Sequence, residues 1–197
     1  MKLTKDFYQR SALEVAPDLL GKLLVHQTAE GRAAGMIVEA EAYIGEVDKA
    51  SHAYECRSVR TEVMYQAGGL AYVYLIYGMY HCFNVVTGPE DQAEAVLIRA
   101  LEPVEGLELM QRRRGAKVKV PNLTSGPGKL CQALAITKAQ YGMDLTGTAL
   151  YLENYRKVKA AELGISTRIN VDYAEEAKDF PWRFYLRGNK FVSAKPR

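Results

Sequence analysis

Two apolar, aromatic runs separated by a Tyr-Gly pair constrain the fold of this chain more than any other feature. They occupy residues 70 to 86 and break near Tyr77 and Gly78. Aromatic and β-branched residues favour strands, and a short break between two such runs is typical of a β-hairpin. The pattern predicts a hairpin with Tyr77 at or near its tip. It also puts Tyr72 and Tyr74 on one face of the first strand.

A second predicted strand, residues 36 to 44, precedes the hairpin and alternates as a half-buried strand does. Its Glu39, Glu41 and Tyr43 are spaced two apart and therefore share one face. Electron-rich rings beside a carboxylate suit a flat, electron-poor or cationic ring, which indicates a site for a modified nucleobase. We choose Glu41 as the candidate catalytic carboxylate. The pattern also fits the solvated face of an edge strand, and it does not separate Glu41 from Glu39.

The tyrosines have two readings. Aromatic residues commonly form core or cross-strand pairs in sheets. However, the chain has 13 tyrosines and five phenylalanines, and packing alone would not prefer the ring that carries a hydroxyl. The excess of tyrosine over phenylalanine indicates partly solvent-exposed stacking surfaces, with Tyr43, Tyr72, Tyr74 and Tyr77 as candidates.

Length and composition indicate one domain spanning residues 1–197, because no composition break divides the chain. Hydrophobic residues make up 48% and charged residues 25%, which excludes a disordered or coiled-coil protein. The net charge of +3 permits nucleic-acid binding without requiring it. The sequence shows no signal peptide, and no run is long enough to cross a bilayer. Three cysteines without a CxxC pair favour reduced thiols, so we expect a soluble, cytoplasmic protein.

The remaining pattern predicts an α+β fold, because strands and helices do not alternate as in a parallel doubly wound sheet. A capping box at Ser11 predicts a helix start, and Pro17 fits the start of a second segment that runs through Leu23. Further strands are predicted at residues 24–28, 95–101, 149–153, 184–186 and 190–193, and further helices at 104–114 and 125–136.

Three further polar residues have both a functional and a structural reading. His52 fits a base contact, a metal ligand with Cys56, or an ordinary loop histidine. Arg99 ends an apolar strand, where it either forms a structural ion pair or keeps a carboxylate ionised in a cleft. Asn84 fits the reading of a base edge or the capping of a turn. A zinc site of His52, Cys56, His81 and Cys82 lacks a familiar spacing, so we expect no metal.

Two basic segments are candidates for contact with phosphate. Residues 125–129, Ser-Gly-Pro-Gly-Lys, resemble a phosphate loop at a helix start without matching the Walker A motif. A plain helix cap explains them equally well. The run from Arg112 to Lys119 fits either a solvated helix end or a nucleic-acid patch.

Several blocks together resemble the 3-methyladenine, or alkyladenine, DNA glycosylases, in family order from near the N-terminus to near the C-terminus. The blocks are residues 38–45 (VEAEAYIG), 51–52 (SH), 71–80 (AYVYLIYGMY), Asn84, 97–103 (LIRALEP), 126–134 (GPGKLCQAL) and 183–188 (RFYLRG). Each block alone is weak, but their combination is specific. The resemblance implies a single α+β domain with a curved, mainly antiparallel sheet surrounded by helices and a protruding hairpin that inserts into DNA.

The resemblance also implies residue roles. Glu41 would activate the attacking water, which Arg99 and the backbone carbonyl of Ile169 help to hold. Tyr43, His52 and Tyr74 would sandwich the flipped base, and Asn84 would exclude the amino group of guanine. Tyr77 would fill the space that the nucleotide leaves in the duplex. Contacts with the DNA backbone would come from Lys129, Gly128, Arg57 and Arg60.

The activity implied is that of a monofunctional glycosylase of base excision repair that needs no cofactor. Its partner would be duplex DNA, approached from the minor groove, and a monomer would suffice. Substrates would be alkylated or deaminated purines, chiefly 3-methyladenine, with hypoxanthine, ethenoadenine and 7-methylguanine as further candidates. Residues 53–61 depart from the family pattern, which leaves the backbone contacts of that loop open. A silent damaged-base binding module and a metal-dependent hydrolase using His52 and Cys56 are the alternatives.

Overall fold

A computed structural model describes residues 1–55 and 57–194 of the chain. The strands are β1 (Leu23–Thr28), β2 (Gly31–Ile44), β3 (Ala71–Ile76), β4 (Tyr80–Val86), β5 (Glu94–Glu105), β6 (Leu150–Glu153), β7 (Leu163–Ser166) and β8 (Arg183–Leu186). The α-helices are α1 (Lys5–Tyr8), α2 (Ala12–Leu19), α3 (Leu107–Arg114) and α4 (Pro127–Leu134). Short 3₁₀ helices occupy Glu62–Tyr65, Val120–Asn122, Lys138–Gln140, Ala160–Glu162 and Glu175–Asp179.

All eight strands belong to one sheet, and their pairings are antiparallel, which confirms the predicted α+β fold. The order is β3-β4-β5-β2-β1-β6, with β8 on β2 and β7 on β8. Strand β2 is long enough to take two neighbours along one edge, β1 at its start and β8 at Glu39 to Glu41, while β5 pairs along its other edge. Both glutamates therefore lie inside the sheet. Neither lies on a solvated edge strand, as one reading of the sequence allowed.

The hairpin is present as predicted. Strands β3 and β4 pair from Ala71↔Val85 to Ile76↔Tyr80, and the turn has Tyr77 and Gly78 at φ 53° and 68°. Positive φ at both central residues is the mark of a type I′ turn, whose twist matches that of the flanking strands. Tyr77 is 76% exposed at the tip.

Helices α2 and α4 pack on the sheet and bury Val15, Leu19, Leu130 and Leu134. The Ser11 capping box is present and starts α2 as predicted. The second segment from Pro17 to Leu23 is wrong, because Pro17 lies within α2, which ends at Leu19, and Leu23 already pairs in the sheet.

Other predicted boundaries also need correction. Strand β5 continues to Glu105, which pairs with Ala34, and Gly106 at φ 74° then separates it from α3. The helix predicted from residue 104 therefore starts at Leu107. Residues 190–193 form turns and bends instead of a strand, and strand β7 is not among the predicted strands. No helix among residues 1–55 and 57–194 has the length and apolar character needed to cross a membrane.

Candidate functional site

A cavity of about 480 Å³ opens between the hairpin, the end of β2, the start of α4 and the loops at residues 50–52 and 169–173. Most of the residues predicted for a site line it: Tyr43, His52, Tyr74, Tyr77, Asn84, Arg99, Gly128, Lys129 and Ile169. Glu41 lies behind this wall and reaches it through the groups that it binds. Arg57 and Arg60 lie outside the lining. The cavity is therefore made of residues that are far apart in sequence and close together in the fold.

The carboxylate of Glu41 is completely buried and held from both sides. Its Oε2 accepts hydrogen bonds from Arg99 Nη1 at 3.1 Å and from the Tyr43 hydroxyl at 2.9 Å, and its Oε1 accepts the Ile169 amide at 2.8 Å. Burial disfavours the charge of Arg99, but Glu41 and Glu39 outweigh this effect and raise the pKa of Arg99. Arg99 therefore stays a guanidinium and is fixed against Glu41 behind the cavity.

Ile169 enters the site through a different atom from the one expected. Its amide N–H, and not its carbonyl, is the group that contacts Glu41. The residue also lines the cavity. A role for its carbonyl in holding a water stays a prediction.

Glu39 is also fully buried, but its contacts separate it from Glu41. Its oxygens accept Arg183 Nε at 2.7 Å and the Ser193 amide at 2.6 Å, and Arg99 Nε lies 3.3 Å away. The two donors to Glu39, Arg183 and Ser193, come from the far end of the chain and do not line the cavity. The partners of Glu41, which are Tyr43, Arg99 and Ile169, all line it, so Glu41 is the glutamate directly behind the cavity, and its catalytic role stays a prediction.

Sequence reasoning missed a second buried ion pair beside the cavity. Arg168 and Asp48 form a two-point contact at 2.5 and 2.7 Å, and both side chains are inaccessible to solvent. The Arg168 guanidinium also lies 4.6 Å from the centre of the Tyr43 ring and donates to the Ala42 carbonyl. This pair supports Tyr43 and ties the segment that carries Ile169 to β2. An arginine directly before a cavity residue, and an aspartate in a polar loop, were the available signals.

Three aromatic rings, those of His52, Tyr72 and Tyr74, form one wall of the cavity. The rings of His52 and Tyr74 meet edge to face with their centres 4.5 Å apart, and Nδ1 of His52 is hydrogen-bonded to the Tyr72 hydroxyl at 2.9 Å. No base fits between two rings at that distance, so His52 and Tyr74 present one surface to the cavity, which Tyr43 also lines. The sandwich of a base by Tyr43, His52 and Tyr74 stays a prediction.

His52 is neutral in this setting. Desolvation against the neighbouring rings, together with the charge of Arg60, lowers the pKa of His52 to about 4, although the residue as a whole stays exposed at the rim. Because His52 is neutral, the positive charge beside this wall comes from Arg60, whose guanidinium contacts the His52 ring.

Tyr43 and Asn84 are fixed by hydrogen bonds. Burial and the negative charge of Glu41 raise the pKa of Tyr43 well above its ordinary value, so its hydroxyl stays a donor to Glu41. The Asn84 amide nitrogen donates to the Tyr72 carbonyl at 3.0 Å, which orients the side chain at the cavity wall. The orientation of both side chains is therefore fixed before a ligand enters the cavity.

The rim combines exposed apolar residues with a helix start. Leu75, Tyr77, Met79 and Tyr80 are all about half exposed or more at the hairpin. The first turn of α4 abuts this hairpin, since a Cβ added to Gly128 would lie 3.0 Å from the Tyr80 Cβ. Lys129 lines the cavity from the same turn.

The two arginines predicted for the DNA backbone differ. Arg57 is engaged on the protein surface with Glu62 at 2.7 Å and Asp91 at 3.1 Å. Arg60 lies against His52 and Tyr74. Arg57 is therefore paired with carboxylates, whereas Arg60 lies against two residues that line the cavity.

The described residues contain no group of three or more His, Cys, Asp or Glu side chains arranged to hold a metal ion. Cys56, which the metal hypothesis required, lies outside the described residues. Cys82 is a buried free thiol that lines the cavity, and Cys131 is a buried free thiol in α4.

Comparison with known proteins adds an independent line of evidence. The profile of the Methylpurine-DNA glycosylase (MPG) family matches residues 6–190. A protein of Alkaliphilus oremlandii is 51% identical over 205 residues, covering 99% of this chain and 100% of its own length. Proteins of Clostridium acetobutylicum, with 98% of each chain covered, and Bacillus cereus strain G9842, with 99% and 100% covered, are each 50% identical. All three carry the name "Putative 3-methyladenine DNA glycosylase".

Proposed function

This chain belongs to the methylpurine-DNA glycosylase family, and we propose that it is a monofunctional enzyme that flips an alkylated or deaminated purine out of duplex DNA and hydrolyses its N-glycosidic bond. Family and relatives support a 3-methyladenine DNA glycosylase acting on DNA. The finer steps are inferred from the contacts around the cavity. The observation that carries them is the buried carboxyl group of Glu41, bound by Arg99 directly behind a cavity lined by aromatic rings.

The first step is extrusion of the damaged nucleotide. A base within a duplex cannot reach a buried carboxylate, and a lesion that weakens pairing or stacking lowers the cost of extrusion. The exposed Tyr77 at the tip of a rigid type I′ turn is suited to occupy the vacated space. Lys129 and the backbone around Gly128 are suited to hold a phosphate beside it.

The second step is recognition in the cavity. The extruded purine stacks between Tyr43 on one side and the surface of His52 and Tyr74 on the other, and stacking of this kind contributes about 1–3 kcal/mol per base. Asn84 is held by the Tyr72 carbonyl, so it cannot turn away from an exocyclic amino group. This fixed amide is a basis for rejecting undamaged guanine.

The third step is cleavage. As the bond between base and sugar lengthens, positive charge develops on the sugar, and the Glu41 carboxylate stabilises it and accepts a proton from the attacking water. Three donors already bind the Glu41 oxygens, which leaves the carboxylate oriented and its own position fixed. We assign Lys129, which lines the cavity, to a phosphate rather than to the sugar, and we therefore propose base release without strand cleavage. Candidate substrates are 3-methyladenine, hypoxanthine, ethenoadenine and 7-methylguanine.

Single-turnover release of base tests the proposal. End-labelled duplexes with one hypoxanthine or one ethenoadenine, and methylated DNA, are incubated with the wild type and Glu41→Gln in EDTA. Release by the wild type alone supports a metal-independent glycosylase with Glu41 as its base. Lesion-selective binding without release by either protein would instead identify a damage-binding module. Loss of wild-type release in EDTA would favour metal-dependent hydrolysis.

A further inference from the structure

The guanidinium of Arg60 lies outside the cavity lining but contacts two rings that line it, those of His52 and Tyr74. Its Cζ lies 5.0 Å from the centre of the Tyr74 ring, and its Nη2 lies 3.4 Å from both ring nitrogens of His52. Equal distances to both nitrogens indicate contact with the ring rather than a bond to one atom. Arginine favours such contact with aromatic rings because of its planar, weakly hydrated charge.

No carboxylate neutralises the charge of Arg60, and the same holds for Arg114 at the cavity lining, whereas three other arginines nearby are paired. Arg99 is neutralised by Glu41, Arg168 by Asp48, and Arg57 by Glu62 and Asp91. Across residues 1–55 and 57–194, no carboxylate lies within ion-pair distance of Arg60. An incoming base at His52 and Tyr74 therefore meets an unpaired positive charge directly beside these two rings.

The backbone of this segment is anchored from outside the loop. The Tyr141 hydroxyl lies 3.2 Å from the Val59 carbonyl and 3.3 Å from the Arg60 carbonyl, and it accepts the Val63 amide. The Tyr141 ring in turn packs edge-on against Tyr72. Arg60 thus projects from a segment that is tied to the same group of rings that it contacts.

We propose that Arg60 determines charge selectivity: it makes the cavity discriminate against a positively charged purine relative to a neutral purine of the same shape. The inference rests on the proposed function and concerns its substrate class. A cation stacked on Tyr74 and His52 would lie close to the guanidinium, and like charges repel strongly where water is partly excluded. Rings and a carboxylate alone favour cationic bases, so Arg60 counteracts a preference that the rest of the site creates. Neutral lesions such as hypoxanthine and ethenoadenine benefit.

The test compares two lesions that differ in charge and share one outline. One duplex carries 7-methylguanine, which is cationic, and the other 7-methyl-7-deazaguanine, which is neutral. Both have a 2′-fluoro sugar to block cleavage. Affinities are measured at mildly acidic pH and fixed salt for the wild type, Arg60→Gln, Arg60→Lys and Arg57→Gln. Arg57→Gln removes the same charge from the same loop without touching the cavity wall.

Arg60→Gln should raise the affinity for the cationic lesion relative to the neutral one by about three- to tenfold, a range reduced for the partial solvent screening of Arg60. Arg60→Lys keeps the charge and should stay within about twofold of the wild-type ratio. Arg57→Gln should leave the ratio unchanged. If the two glutamine variants weaken both duplexes in parallel and the ratio does not move, Arg60 is a phosphate contact only and the inference is wrong.

Titration of the His52 imidazole by NMR gives a readout independent of DNA. The groups facing this ring are Arg60, the Tyr72 hydroxyl and the Tyr74 ring. Arg60→Gln should raise the pKa of His52 and Arg57→Gln should not, and an unmoved pKa contradicts the charge argument. Base release from unfluorinated duplexes tests the proposed function separately. Absence of any preference for lesion DNA would overturn both proposals, whereas lesion binding with an unmoved ratio overturns only this one.

Discussion

The backbone amide of Ile169 donates a 2.8 Å hydrogen bond to Oε1 of Glu41, joining residues 128 positions apart. Arg99 and Tyr43 bind the other oxygen. All the groups around this carboxylate are donors, so the site is built for an acceptor with two equivalent oxygens. A neutral amide has only one oxygen, and its NH₂ group would face a donor. Replacing the carboxylate by an amide therefore tests its role.

Glu41→Gln should lower single-turnover excision by about 10²–10⁴-fold, the usual contribution of a general base. It should also lower the free energy of unfolding by about 1–3 kcal/mol, because the new NH₂ faces a donor and leaves it unsatisfied. Glu39→Gln is the matched control, since it creates the same conflict with Arg183 and Ser193. Excision assays and thermal denaturation on both variants check this. Equal loss of excision in both would remove the distinction between the two glutamates.

Tyr77→Ser should weaken binding to lesion DNA and leave the stability of the protein within about 0.5 kcal/mol, as is usual for an exposed position. The reason is that the Tyr77 ring is exposed at the hairpin tip and, in the proposed insertion role, gains contacts when DNA binds. Fluorescence anisotropy with an abasic-site duplex measures the affinity. Tyr155→Ser is the control, because Tyr155 is also exposed but is distant from the cavity lining. Equal affinity of wild type and Tyr77→Ser would exclude the insertion role.

Asp48→Asn should destabilise the protein by about 3–5 kcal/mol, because it leaves the buried Arg168 charge without its partner. Loss of excision should follow, since Arg168 supports Tyr43 and precedes Ile169. Asp18→Asn provides the comparison: the Arg10–Asp18 pair is on the surface and contributes at most about 1 kcal/mol. Chemical denaturation of both variants measures the difference. Similar midpoints would show that the buried pair is dispensable.

Stability should decline as the pH falls from 6.5 towards 4, in part because of His52. The pKa of His52 is lowered in the fold to about 4, so over this range the unfolded chain binds a proton that the folded chain does not. Buried His26, whose pKa is also lowered by desolvation, acts in the same direction. Denaturation at several pH values should therefore show a shallower slope in His52→Gln than in the wild type. A slope unchanged by the substitution would mean that His52 is protonated normally.

Gly128→Ala should weaken DNA binding and cost about 1–3 kcal/mol of stability, the usual effect of overpacking. The added methyl group would meet the Tyr80 Cβ at 3.0 Å and push the hairpin away from α4. Gly147→Ala is the control, with its nearest contact at 3.1 Å to a backbone carbonyl far from the cavity. Affinity for lesion duplexes and thermal denaturation report the two effects. Unchanged affinity in Gly128→Ala would show that the hairpin position is not set by α4.

Local chemistry explains which parts of this structure could be predicted from the sequence. The hairpin, the start of α2 and the shared face of Glu39 and Glu41 each depend on residues a few positions apart. Strand β7 and the course of residues 190–193 depend on distant partners. Ser193, for example, gives its amide to Glu39 instead of to a neighbouring strand.

The same contrast applies to the site. The types of residue that form the site could be recognised in the sequence, but the residues that each of them contacts could not. Nothing local indicates that Arg168 closes on Asp48, or that Ile169 presents its amide. The position of Arg60 against two rings likewise depends on a loop shape that Tyr141 holds from a distance. The residue types that line the cavity could therefore be named from the sequence, whereas most of the contacts among them could not.

The long strand β2 receives its partners from both ends of the chain. Glu39 and Glu41 lie in its second half, yet Arg168, Ile169, Arg183 and Ser193 all come from the last part of the sequence. During synthesis, the aromatic hairpin can form before the residues that bind Glu39 and Glu41 from the last part of the chain have been added. A chain that ends before residue 168 would hold the hairpin and both glutamates but would lack Arg168, Ile169, Arg183 and Ser193. We therefore expect the hydrogen-bonded surroundings of Glu39 and Glu41 to be complete only once the last part of the polypeptide has been added.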